Sequence, residues 1–119
     1  MNYSRLRFSK ETSDLLGGLQ AQTGLTPNLL ARIGFSLSLQ DPTLIAPEAY
    51  TSDGEREIDR HTLTGQWDAL FMALFKERCH QDGVHEDEQW AYFRAHMNRG
   101  VLLLSKQVYR LPDMLNLFH

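Results

Sequence analysis

The stretch Thr23-Gly24-Leu25-Thr26-Pro27-Asn28 constrains this chain more than any other. Glycine accepts the left-handed backbone that closes a helix, threonine caps the next helix through its hydroxyl, and proline at the first helical position forfeits no hydrogen bond. A helix end and a helix start therefore share one short turn, and the flanking segments must fold as a closely coupled pair. Ser9 is placed to cap the first helix, which is expected over residues 10–22 with Leu15, Leu16 and Leu19 on one side. Gly17-Gly18 costs that helix about 1 kcal/mol per glycine relative to alanine, so either the helix breaks there or another backbone packs closely on it.

The second helix carries Leu29, Leu30, Ile33 and Leu37 at helical spacing, with Gly34, Phe35 and Leu39 adding apolar surface on a second side. A helix apolar on two sides in a small domain is expected to bury the second against another subunit, with Gly34 part of that packing. Ahead of the pair, Ser4-Arg5-Leu6-Arg7-Phe8-Ser9 alternates, so an extended strand sets Leu6 and Phe8 on one face and Arg5 and Arg7 on the other. So short a strand must pair, and pairing with its own copy in a second chain is one solution.

Asp41-Pro42 and Ala46-Pro47 end the second helix, Thr51-Ser52-Asp53-Gly54 reads as a turn, and residues 41–66 form the least regular part. From Gln66 onward Trp67, Leu70, Phe71, Leu74, Phe75 and Arg78 follow the helical period, which predicts a core helix stopped by Gly83. A further helix from Glu86 is expected to turn Trp90, Phe93 and Met97 inward. Gly100 is its end or a tolerated break, and Leu111-Pro112 closes the last helical stretch before a short apolar tail, Asp113 to His119. The fold class is thus mainly α: one small helical domain over residues 1–119, with a short N-terminal strand, a ribbon-helix-helix-like start and an irregular middle, built to oligomerise.

The 42 % hydrophobic and 23 % charged content is that of a globular protein with a real core. The lone Cys79 has no internal partner, no apolar run is long enough to cross a membrane, and the first residues lack the apolar centre of a signal peptide. The expectation is a cytoplasmic protein with no membrane association. The net charge of −3 is unevenly spread: residues 1–40 carry +2, residues 41–66 carry −4, residues 67–99 carry −2 and residues 100–119 carry +1. An anionic partner should meet the two ends.

Two clusters hold the residue types of a metal or catalytic site. Cys79-His80-Gln81-Asp82-Gly83-Val84-His85-Glu86 contains several ligand types but no established zinc spacing, and Cys79 reads better as a buried small hydrophobe than as a nucleophile. Asp53, Glu55, Glu57, Asp59 and His61 alternate and would share a face on an extended segment, yet no glycine is offset for a calcium loop and a solvated acidic edge is the simpler reading. With no glycine-rich phosphate loop and no GxSxG elbow, neither a cofactor nor a metal is expected. The stronger constellation is Arg5 and Arg7 on one strand face, Lys10 behind them, and the helix start at Thr26-Pro27-Asn28, since strand side chains can enter a DNA groove and free N–H groups at a helix start can hold a phosphate. The bland alternative is a solvated strand face bearing two arginines.

Three segments, SRLRFSKET near the N-terminus, TGLTPNLLARIGFSLSL, and FRAHMNRGVLLL at residues 93–104, resemble the DndE family of DNA sulfur-modification (phosphorothioation) proteins. The resemblance implies a mostly helical protein that assembles as a homotetramer, binds DNA with preference for nicked duplex, works with the other proteins of the sulfur-modification system and has no catalytic activity of its own. It transfers no DNA-contact motif, so Arg5, Arg7, Lys10, Asn28 and Arg32, with Lys106 and Arg110 from the basic C-terminal end, are contacts chosen on physical grounds. Arg99, beside Gly100, fits a structural role equally well. The alternative function is an assembly subunit that scaffolds the sulfur-transfer partners without touching DNA; a nuclease using the Asp53 to His61 row is a third.

Overall fold

The computed structural model describes the backbone of residues 5–116 and side chains as far as Val108. Strand β1 (Arg5–Arg7) leads into helix α1 (Lys10–Thr23) and helix α2 (Pro27–Gln40); strand β2 (Glu57–Asp59) is followed by the short helix α3 (Arg60–Thr64), then α4 (Asp68–Gln81) and the long α5 (Gln89–Asn116). The local signals act as expected. Ser9 accepts from the Thr12 N–H at the start of α1, Gly24 closes it with φ 74°, and Thr26 accepts from Leu29 N–H with Pro27 opening α2. Between residues 41 and 56 the chain is irregular apart from a single 3-10 turn, Pro47–Ala49.

Helices α2 and α5 form the centre of the molecule, crossing at Gly34 and Gly100. A Cβ on Gly34 would lie 2.6 Å from the Gly100 carbonyl carbon, and one on Gly100 would lie 2.7 Å from Phe35 N and closer still to the Gly34 carbonyl. Gly34 therefore serves packing within the chain, not the subunit contact expected of it, and α5 runs unbroken through Gly100. Around the crossing Phe8, Leu16, Leu30, Phe35, Phe75, Phe93, Met97 and Val101 are fully buried, with the Phe35 ring 5.1 Å from Phe93 and 6.1 Å from Phe75. Helix α1 also runs unbroken through Gly17-Gly18, which are exposed and where an added Cβ would meet nothing within 4 Å across the described residues.

One open pairing is resolved and two expectations need correcting. β1 pairs antiparallel with β2 of its own chain, Leu6 opposite Ile58, so the ribbon is completed without a second copy. Helix α4 sends Phe71, Phe75 and Cys79 toward the core but leaves Leu70 and Leu74, with Trp67 just ahead of it, about half exposed, because its apolar residues are numerous enough to cover two faces while only one meets α2 and α5. Helix α5 continues past Pro112 to Asn116, since the loss of one i to i−4 bond does not end a helix already propagated over many turns. The side chains of the expected apolar tail lie outside the described residues.

Buried polar groups tie the irregular segment down. Arg99 donates through Nε to Ser38 Oγ at 2.8 Å, through Nη1 to the Thr43 carbonyl at 2.7 Å and through Nη2 to the Ser38 carbonyl at 2.8 Å. Arg78 donates to the Leu39, Asp41 and Thr43 carbonyls at 2.9, 2.6 and 3.1 Å and holds Asp82 at 2.8 Å. The two guanidiniums thus satisfy the orphan carbonyls at the end of α2 and the turn that follows. Ser38 Oγ, which accepts from Arg99, also meets His96 Nδ1 at 2.8 Å.

Burial, with Arg99 and Arg78 adding to it against Asp82, pushes the His96 pKa down to about 4. An unfolded histidine titrates near 6.5, so between those values the native state binds fewer protons than the unfolded state and stability falls as pH drops. The loss is expected to begin below pH 6.5, to reach on the order of 3 kcal/mol and to level off below about pH 4. Urea unfolding at a series of pH values checks this, and His96→Gln should flatten the slope across that window.

Candidate nucleic-acid interface

The ribbon's two faces follow from its register. Arg7 lies opposite Glu57 and Arg5 opposite Asp59, so these four side chains share the solvent face while Leu6 and Ile58 face the core. Glu57 serves both arginines: Oε1 accepts from Arg5 Nε at 3.0 Å and Oε2 from Arg7 Nη2 at 2.7 Å. Arg7 Nη1 also donates to the Gly54 carbonyl at 3.0 Å, whereas among the described residues Arg5 is held through Nε alone. Lys10, exposed in the first turn of α1, adjoins this group: its backbone N–H donates to Asp53 Oδ1 at 3.1 Å, one residue from Gly54. Arg5, Arg7 and Lys10 therefore gather around residues 53–57.

The remaining basic candidates are not drawn into that cluster. Arg32 is turned inward, donating Nε to the Leu63 carbonyl and Nη2 to the Thr62 carbonyl at 3.3 Å, with its guanidinium against Gly65. It clamps α3 to α2. Asn28 is half-buried in the first turn of α2, where Thr26 already takes the Leu29 N–H. Lys106 is exposed on α5, and the side chain of Arg110 lies outside the described residues.

Neither row of possible metal ligands assembles: among the described residues no three His, Cys, Asp or Glu groups converge. Burial pushes the Cys79 thiol up to about 11, Asp82 reinforcing and Arg78 opposing, and Asp82 is itself spent on Arg78. In the acidic row Asp53 accepts from Thr51 and from Lys10 N–H, which lowers its pKa; Glu57 holds the arginines; and Asp59 caps α3 through His61 and Thr62 N–H at 2.9 and 3.4 Å. The row is extended only over Glu57–Asp59, so it presents no common face.

Sequence reading misses Glu57 as the counter-ion of the arginines, and it misses the Ser38, Arg78, His96 and Arg99 network. The alternation that marks β1 is repeated in Glu57-Ile58-Asp59 and is a usable sign of the ribbon's second strand. Arg78 falls on the apolar period of its helix, whereas nothing local marks Arg99 as buried.

Fold and surface define a small helical protein built on a glycine-to-glycine helix crossing, with an arginine-bearing ribbon against α1. The profile of the family described as DNA sulphur modification protein DndE matches residues 5–110, and the chain belongs to that family. Among solved structures it resembles DndE from Escherichia coli B7A, involved in DNA phosphorothioation modification, at 27 % identity and a TM-score of 0.71, over 87 % of this chain and 98 % of that one. A DndE G21/24K mutant involved in DNA phosphorothioation is similar at 25 % identity and a TM-score of 0.70, over 87 % and 99 % of the two chains. No curated protein sequence is significantly similar to it.

Proposed function

We propose that this protein is a cytoplasmic, DNA-binding accessory component of a phosphorothioation system, engaging duplex DNA as a homotetramer and preferring nicked to intact duplex while partner proteins carry out the sulfur chemistry. Membership in the DndE family supports the setting. The observation that carries the DNA reading is the pairing of Arg5 and Arg7 on the ribbon's solvent face with Lys10 beside them. With a net charge of −3 per chain, affinity depends on where the cations converge, and several copies acting together supply the number of phosphate contacts one ribbon lacks. A nick relieves duplex stiffness, so a weakly basic surface gains more by binding DNA that bends easily. An accessory role without catalysis is supported by the Cys79 thiol, pushed up to about 11, and by acids already committed to structural partners.

Assembly is supported by exposed apolar side chains: Leu25, Leu29 and Ile33 at the start of α2, and Trp67, Leu70 and Leu74 at α4, with Leu74 also lining a groove between α2 and α4. The same surface favours the second reading, a scaffold holding sulfur-transfer partners without contacting DNA. Fluorescence anisotropy with intact, nicked and single-stranded forms of one duplex at two salt concentrations separates the two. The DNA reading expects nicked duplex to bind tightest, with salt sensitivity. It also expects Arg5→Ala/Arg7→Ala to weaken binding about tenfold and to lower the salt slope by about 0.9 for each phosphate no longer neutralised. Unchanged binding by a folded double variant overturns the ribbon assignment, and no binding to any form leaves the scaffold.

A further inference from the structure

We propose that Glu57 is an electrostatic latch on the ribbon: it occupies the place a phosphate would take between Arg5 and Arg7 and holds the protein's affinity for polyanions down. The inference rests on the DNA-binding reading and adds to it a residue that regulates the same surface.

One carboxylate bridges two guanidiniums, with Oε1 on Arg5 and Oε2 on Arg7 at 3.0 and 2.7 Å. A phosphate presents the same spread of acceptors to the same donors. The site is open to exchange, because the Arg5, Arg7 and Glu57 side chains are 61 %, 45 % and 31 % exposed and ion pairs so exposed hold weakly. Asp59 does not play this part: although it shares the face, its carboxylate is taken up by the first turn of α3. The pair of arginines therefore reaches an incoming polyanion with one of its two charges already answered by Glu57. Binding is weaker and its salt dependence shallower than two free arginines would give.

Glu57→Gln removes the charge and keeps an acceptor, so the ribbon pairing survives and only the latch is removed. Glu55→Gln is the control: it changes the net charge equally on the same exposed segment, and Glu55 makes no ion pair among the described residues. The full chain and its variants are titrated with nicked duplex at two salt concentrations and eluted from a heparin column by a salt gradient, with thermal melts to verify folding. Glu57→Gln is expected to bind nicked DNA about 3- to 10-fold more tightly with a steeper salt slope, and to leave heparin at higher salt, than either wild type or Glu55→Gln. The triple variant Arg5→Ala/Arg7→Ala/Glu57→Gln should show none of this gain.

A Glu57→Gln protein that binds like Glu55→Gln, or more weakly than wild type, overturns the latch while leaving DNA binding in place. Later elution of Glu57→Gln from heparin, with no variant binding DNA, keeps the latch and removes the DNA reading. Failure of every variant to engage either polyanion removes both.

Discussion

Gly100→Ala is expected to lower the melting temperature by about 15 °C, corresponding to a loss of about 3 kcal/mol in a chain of this size. The atoms that an added methyl would strike are the backbone of Gly34 and Phe35, which cannot swing aside as a side-chain tip would. Helices α2 and α5 would have to separate, loosening Phe35 from Phe93 and opening the layer that buries Met97 and Val101. Gly34→Ala should behave alike, since its Cβ would meet the Gly100 and Val101 backbone at 2.6 and 2.9 Å. The sign is diagnostic, because glycine to alanine inside an otherwise unconstrained helix stabilises by about 1 kcal/mol. Thermal and urea melts check it; a variant melting within a few degrees of wild type would show that the crossing relaxes without cost.

Arg99→Ala should destabilise the fold by about 3–5 kcal/mol, more than any substitution on the exposed ribbon. Arg99 is 8 % exposed and its guanidinium meets Ser38 Oγ and the Ser38, Asp41 and Thr43 carbonyls, so truncation strands the Ser38 acceptors at the end of α2 and leaves a cavity. Arg99→Lys should recover only part of the loss, because an ammonium cannot reproduce the planar fork. Arg78→Ala should be comparably severe, and the double variant should lose more than the two single losses added, because the Asp41 and Thr43 carbonyls keep one donor in either single variant and lose both only together. A double-mutant cycle in urea measures that coupling. Strict additivity would mean that the two arginines act independently.

These two expectations concern residues whose importance is only half visible in the sequence. Gly34 and Gly100 stand out there, one as subunit packing and the other as a helix end or break, because a lone glycine in a helix signals close approach without saying to what. Arg78 falls on the apolar period of α4 and Arg99 on a family-like segment, but a buried arginine looks like an exposed one until the carbonyls it satisfies are folded around it. Of the interface candidates, Arg5, Arg7 and Lys10 come together near residues 53–57, whereas Arg32 is used inside the fold. The distinction turns on where Leu63 and Gly65 lie, which no periodicity in α2 reports.

The sequence by itself determined the caps at Ser9 and Thr26, the stop at Gly24, the helical class and, through its family resemblance, the DndE assignment. Capping and helical periodicity are settled by residues within a turn or two of one another, so they can be read before anything is folded. Only the tertiary structure decided that β1 pairs within its own chain, that the two glycines face each other, and that Glu57 stands between Arg5 and Arg7 from 52 and 50 positions away. Pairings over such distances are selected by burial and backbone satisfaction across the whole core, and local preference alone cannot rank them.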